Sequence, residues 1–483
     1  MLATQVRIRL VKQIRLCLNI ACLTAIATEQ GQEKSHCIDD WDRAHSWHPF
    51  TQMKEYCSIP SLHIERGEGC WLWDTEGNRY LDGNASIWTN ALGHNDPDLN
   101  RVLVDQVGKV SHTTYLGLSH PAGAELGHRL VELSPGNLTR ALFSDNGSNA
   151  IEIALKLSFQ YWQLVEKPEK RLVVGMEGGY HGDTFGAMSA GNSESFHERF
   201  RAWQFESRSF PRPNCSEING RIVAQEMDPS LEALESVLSQ ESKRVAAVVL
   251  EPWIQGPAGM RLQPPGFLKE VSRLCRRFNV HLILDEVFVG CGRTGNLFVC
   301  QAENVEPDFL CLAKGLSAGY LPIAATLTSE SIYEAFLGDF DSGKGFYHGH
   351  TFTGNPLAAR VALESLEKIQ RLIESGRLKR TIHYFGNAFE RAVSGLENVS
   401  GARQRGLSAA IDLIPGNGVK PWKVNDRVGL EVCLAARERG LLLRPLLDSI
   451  LVVPPLVIEN EEIDFLFANL KEAIDTVMKK KSI

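Results

Sequence analysis

The chain has 483 residues, 43% of them apolar and 23% charged, enough for a large buried core and about two structural domains. A formal charge of −7, with no basic stripe interleaved with aromatics, argues against nucleic acid as a partner, and no apolar run is long enough to cross a bilayer. The 11 cysteines contain no C-x-x-C pair, which points away from a zinc site or a disulfide framework and suits a reducing compartment.

In residues 1–36, Arg7, Arg9, Lys12 and Arg15 precede the apolar stretch from Leu16 to Ala27, and no acid occurs before Glu29. Such a start resembles a secretory signal, and its acid-free basic stretch an organelle presequence. A dispensable extension and a cytoplasmic protein are the expectation, because the rest of the chain reads as thiol-rich and intracellular; organelle targeting is the alternative.

Further along, strand-like runs alternate with helical patterns. Ala141-Leu-Phe-Ser144 leads into Asp145-Asn-Gly-Ser148, after which Ile151, Ala154, Leu155, Ser158, Phe159 and Trp162 recur at helical spacing. Small residues at Asn146-Gly147-Ser148-Asn149 let backbone amides at a helix start face an anion, although a plain N-cap has the same signature. Leu172 lies in the next strand, followed by Gly179-Tyr180-His181-Gly182, where an aromatic between glycines is able to stack on a flat ring. Ser209 to Pro229, rich in proline and polar residues, reads as a surface excursion. Val245 to Leu250 is a strand, Pro265 to Phe278 a helix, and His281 to Leu284 a strand ending on Asp285-Glu286-Val287.

Gly290-Cys-Gly292-Arg-Thr-Gly295 matches the dinucleotide fingerprint in letters only. The fingerprint needs a glycine turn directly after a strand and opening a helix, and neither condition holds here, so a nucleotide-dependent oxidoreductase is set aside. Phe309 to Ala313 is another strand, closed by Lys314 and then Gly315-Leu-Ser-Ala-Gly319. A carboxylate and a lysine closing neighbouring apolar strands are expensive to bury without a partner. They are also the two fixed points that pyridoxal phosphate requires: an amine for a Schiff base and an acid that keeps the pyridine nitrogen protonated. The alternating pattern predicts an α/β fold with a mainly parallel sheet, whose ligands sit at the carboxyl ends of the strands. Thr351 offers a hydroxyl among glycines ahead of a helix, for phosphate or for a cap. From about Asn355 the pattern changes to long helices with a few short strands, and Arg444-Pro445 emerges from Leu441-Leu-Leu443 with a guanidinium suited to a carboxylate.

Together, Ser144-Asp-Asn-Gly-Ser148, Gly179-Tyr-His-Gly-Asp183, Leu284-Asp-Glu-Val287, Gly292-Arg-Thr-Gly295, Ala313-Lys-Gly315 and His350-Thr-Phe-Thr-Gly-Asn-Pro356 resemble the class III, or ω-type, pyridoxal phosphate aminotransferases. The resemblance runs from about Trp47 to beyond Pro455. It implies fold type I: a large cofactor-binding domain over 96–350 and a smaller α+β domain from both chain ends, 37–95 and 351–483. It implies that Lys314 carries the cofactor and shuttles the proton, that Asp285 pairs with the pyridinium nitrogen, and that Val287 and Tyr180 flank the ring. Gly147 and Ser148, with Thr351 of a partner subunit, would bind phosphate, which implies a homodimer. Phe50, Trp88, Tyr180, Gly349 and Arg444 would line the substrate side.

Within the family, Trp47-His-Pro-Phe-Thr-Gln-Met53, Ser86-Ile-Trp88, Phe159-Gln-Tyr-Trp162 and Arg444-Pro445 resemble the branch that aminates 8-amino-7-oxononanoate in biotin biosynthesis, with S-adenosylmethionine or lysine as donor. Another ω-amino acid aminotransferase is the alternative. The chain departs from the pattern at Phe50 and Leu451, where many relatives have tyrosine, and in the loop Val287-Phe-Val-Gly-Cys291.

Overall fold

The structure, a computed structural model, describes residues 37–191, 193–416 and 421–481. The extension read from residues 1–36 lies outside the described residues.

The strand-like runs assemble into one seven-stranded sheet. Its order is Leu138–Ser144, Ala324–Ser329, Phe309–Leu312, His281–Asp285, Val245–Leu250, Leu172–Met176 and Ser207–Phe210. Only Ala324–Ser329 runs against its neighbours; the other pairings between adjacent strands are parallel. The central strands are buried at every position, because helices cover both faces and alternate side chains enter different cores. Val249, Ile283 and Phe309 pack under Ile151, Ala154 and Leu155 of helix Gly147–Leu164. Val248 and Leu282 face the opposite way, into the core that contains Phe267, Val271 and Leu274 of helix Phe267–Arg277.

This register aligns the chemistry. Asp285 pairs with Cys311, three positions before Lys314, and Leu250 pairs with Leu284. Asp285, Glu251 and Lys314 therefore leave the sheet along one edge, at the carboxyl ends of three neighbouring parallel strands.

Two smaller sheets bring distant segments to that edge. Ile64–Glu68, Trp71–Asp74 and Arg79–Asp82 form a meander, joined in parallel by Leu441–Leu442. Val399–Gln404, Ala409–Leu413, Ser449–Val452 and Arg444–Leu446 form an antiparallel sheet in that order.

Two expectations change. The stretch 209–229 is not simply a loop: Ser207–Phe210 is the edge strand of the main sheet, and Asn214–Ile218 with Arg221–Glu226 makes a hairpin. Arg405 reaches Glu217 of that hairpin, and the Asn219 amide donates to Gln404 Oε1 at 2.9 Å, so part of its polar surface serves tertiary hydrogen bonds while Asn214, Arg221 and Glu226 stay exposed. Phe159, counted on the buried face of its helix, is 46% exposed, while Ser158 beside it is buried against His281, its Oγ 2.8 Å from Nδ1.

Candidate active site

A cavity of about 490 Å³ opens at the carboxyl edge of the main sheet, and Gly147, Ser148, Tyr180, Asp285, Val287 and Lys314 all line it. Six sequence-predicted residues from four separate chain segments thus meet in one place.

Each is held by local geometry. Asn146 caps helix Gly147–Leu164 by accepting from the Asn149 amide at 3.0 Å, which leaves the first-turn amides near Gly147 and Ser148 facing the cavity. A Cβ on Gly147 would lie 2.7 Å from Val287 Cγ1, so only glycine lets the helix start close on the Val287 wall. Gly182 has φ of 116°, and a Cβ there would overlap Ser148 Oγ. That approach allows Ser148 Oγ to accept from the Asp183 amide at 3.0 Å.

Asp285 is 5% exposed and accepts from His181 Nδ1 at 2.7 Å and from the Val287 amide at 3.1 Å. Desolvation opposes charge on His181, but the hydrogen bond and charge of Asp285 outweigh it and raise the imidazole pKa. Nε2 of His181 is buried without a hydrogen-bond partner among the described residues. The sequence motif contained His181, yet no role for it was legible, because nothing in the chain order shows that it meets a residue 104 positions away.

Glu251 was missed although its signal was the one used for Asp285, an acid closing an apolar strand. It accepts from the Tyr180 amide at 3.1 Å and the Gly256 amide at 3.0 Å, and burial pushes its carboxyl up to about 7. Glu286 lies beneath, accepting from the Val299 and Cys300 amides at 2.7 and 2.8 Å, and is likewise pushed by burial up to about 7.

Lys314 stands on the cavity wall with φ of 47°, and its Nζ lies 5.2 Å from the Trp88 ring centre and 6.0 Å from that of Phe288. Desolvation lowers its pKa, against the pull of Asp285 and Glu251. An amine of reduced basicity facing open space is a nucleophile in waiting. Tyr180 donates its hydroxyl to Asp183 at 2.9 Å, and burial, reinforced by Asp183, raises its pKa.

The substrate-side residues divide. A second hollow of about 480 Å³ is lined by Phe50, Ser86, Ile87, Arg427, Leu443 and Arg444, residues from both ends of the chain. Desolvation lowers the Arg444 pKa, and among the described residues no carboxylate pairs with it. Leu451 is opposite Arg444 in the strand register but only 3% exposed, so it backs the arginine rather than facing the hollow. Trp88 is not among the residues lining either space; it is buried against Phe288 with ring centres 4.6 Å apart, its ring facing Lys314 Nζ. Ala85, Ser86, Ile87 and Trp88 all have positive φ, from 42° to 68°. That left-handed turn costs roughly 1–2 kcal/mol per non-glycine residue.

Thr351 and Gly349 are not among the residues lining either space of their own chain. Thr351 is exposed, and the neighbouring His350 Nδ1 lies 2.9 Å from Asp145 Oδ1, which fixes the segment beside the helix start.

The site fits pyridoxal phosphate on its own geometry. A glycine-floored helix start faces a phosphate position, Asp285 backed by His181 faces a ring-nitrogen position, Val287 and Tyr180 offer two walls, and Lys314 faces the cavity. The Aminotransferase class-III family profile matches residues 52–474. The chain is 45% identical over 446 residues to adenosylmethionine-8-amino-7-oxononanoate aminotransferase of Geobacter sulfurreducens, covering 91% of this chain and 98% of the relative. It is 40% identical to the protein of the same name from Aquifex aeolicus, covering 92% and 98%. The crystal structure of the Methanocaldococcus jannaschii protein of that name superposes with a TM-score of 0.86 at 37% identity, covering 92% of this chain and 99% of the other. The chain belongs to the class-III aminotransferases, which are pyridoxal phosphate enzymes of fold type I.

Proposed function

We propose that this aminotransferase moves an amino group from S-adenosylmethionine to the ketone of 8-amino-7-oxononanoate, a step of biotin biosynthesis. The observation that carries the reading is the pairing of a lysine-lined cavity with a second hollow holding Arg444, with which no carboxylate pairs among the described residues. An amino-keto acid with an aliphatic chain places its ketone at the first and its carboxylate at the second. The names of the relatives supply the donor.

When bound, pyridoxal phosphate supplies an electron sink that stabilises negative charge on the carbon losing its proton. Lys314 Nζ holds the cofactor between turnovers and, once released, carries the proton to and from the substrate carbon. Asp285, oriented by His181, favours a protonated ring nitrogen. Gly147, Ser148 and the helix amides hold the phosphate, Val287 and Tyr180 bracket the ring, and Arg444 orients the acid. Tyr180 shields the reacting carbon, and Phe50 and Trp88 bound the substrate side.

Thr351 and Gly349 complete the site of a partner subunit in a homodimer. Support comes from their position outside their own cavity and from the exposed apolar side chains nearby: Tyr347 at 81%, Phe352 at 60% and Leu116 at 65%. Among the described residues no helix is long and apolar enough to cross a membrane, and the enzyme acts in the cytoplasm. Residues 37–95 and 351–483 make up the smaller domain, a division supported by the pairing of Leu441–Leu442 with Arg79–Asp82.

The test is a half-reaction assay in which purified enzyme meets S-adenosylmethionine or lysine and the cofactor absorbance is followed to its amine form. Conversion by S-adenosylmethionine, then reversal by 8-amino-7-oxononanoate, is the expected result. Conversion by β-alanine or 4-aminobutyrate without reversal by that keto acid would move the protein to another ω-amino acid branch.

A further inference from the structure

The left-handed turn beside the second hollow is pinned by Asp82, which also lines that hollow, and by the largely buried His94, a pair that the proposed reaction does not use. Asp82 ends strand Arg79–Asp82 and is 2% exposed. Its carboxylate accepts from the Asn84 amide at 3.1 Å, from Ser86 Oγ at 2.9 Å and from His94 Nε2 at 2.9 Å. With Nε2 donating, Nδ1 of His94 accepts from Asn90 Nδ2 at 3.0 Å, the tautomer this network requires. His94 is itself anchored, because it and Gly69 exchange both backbone hydrogen bonds, at 2.7 and 3.0 Å. Above the pin, Trp88 Nε1 donates to Asn84 Oδ1 at 3.0 Å. Consecutive non-glycine residues with positive φ revert to commoner backbone regions unless their surroundings over-determine them. Here the over-determination runs from the meander sheet through His94 and Asp82 into the turn.

We propose that Asp82 and His94 are positioning residues that lock the Ala85–Trp88 turn, so that Trp88 stays beside Lys314 while Ser86 and Ile87 line the hollow that holds Arg444, and that this lock sets the length of aliphatic acid the enzyme accepts. The inference deepens the proposed function and rests on it. Released, the turn moves the Trp88 and Ile87 walls relative to each other, and the spacing between amine and guanidinium is no longer enforced. The chemistry at Lys314 is held by other strands and continues.

The experiment compares Asp82→Asn, His94→Ala and His94→Gln with wild type in the cofactor-loaded full chain. Kinetics with 8-amino-7-oxononanoate and shorter homologues are read beside cofactor absorbance, the donor half-reaction rate and the thermal midpoint. Asp82→Asn and His94→Ala are expected to raise KM for the keto acid about tenfold to a hundredfold. They should flatten the preference for its chain length and leave absorbance and the donor half-reaction near wild type. His94→Gln, whose amide reaches Asp82, should recover most of the loss. Ala85→Gly added to His94→Ala should recover part, because glycine adopts positive φ without the pin. Unchanged KM and chain-length preference with a lowered midpoint would overturn the proposal, as would a donor half-reaction that fails equally. If Asp82→Asn does not fold, the His94 series decides. Absence of wild-type turnover with 8-amino-7-oxononanoate would refute the proposed function instead. The same variants, assayed with whichever linear amino acids the wild type accepts, would still decide the role of the turn.

Discussion

The edge of the seven-stranded sheet and the hollow around Arg444 are built by opposite strategies. At the sheet edge, Asp285, Glu251 and Glu286 are almost fully buried and each accepts at least two hydrogen bonds. Around Arg444 the side chains come from segments hundreds of positions apart, Phe50 is 55% exposed, and no carboxylate among the described residues pairs with the guanidinium. The reaction centre is rigid because every buried charge there needs a fixed partner. Changes at the first region should therefore act on turnover, and changes at the second on substrate binding.

The largest effect is expected from Lys314→Ala. Losing both the anchor and the proton carrier should lower kcat roughly 10³–10⁴-fold, with loss of the protein-bound cofactor absorbance; near-normal turnover would end the assignment. Asp285→Asn comes next, lowering kcat about 10²–10³-fold with KM little changed, because a neutral amide does not sustain a protonated ring nitrogen. Steady-state kinetics with both substrates checks it, and a defect confined to KM would contradict the division of labour. Arg444→Ala should do the reverse, raising KM for the keto acid about 10- to 100-fold by removing one charged hydrogen-bonding partner, with kcat at saturation largely kept.

The last effect is on stability. Glu286 has a folded pKa of about 7 against its usual 4.5, so the folded state holds the proton more tightly than the unfolded chain. Its stabilising contribution is complete below about pH 4.5 and is lost as pH rises to about 7, at up to ~1.4 kcal/mol per pH unit. Glu286→Gln should flatten that part of the profile, as read from denaturant midpoints at pH 5 and pH 8.

The part of the molecule legible in sequence was the part whose signals are local. Lys314 and Asp285 each close an apolar run, Gly147 and Ser148 start an amphipathic helix, and the central strands are continuous apolar runs because both faces are covered. Glu251 carried the same local signal and was passed over for lack of a motif around it.

Chain order by itself thus determined the central strands of the sheet, the helix start beside the cavity, and the lysine and aspartate that close neighbouring strands, since each depends on hydrophobic periodicity and on the polar residue that interrupts it. Tertiary structure alone decided that His181 orients Asp285, that Ser207–Phe210 and the hairpin after it are ordered, that Leu451 is buried, and that Phe50, Ile87 and Arg444 share one hollow. The reason is physical. A hydrogen bond or a shared wall between residues far apart in the chain leaves no periodic trace, and it comes into being only when separate sheets are packed together.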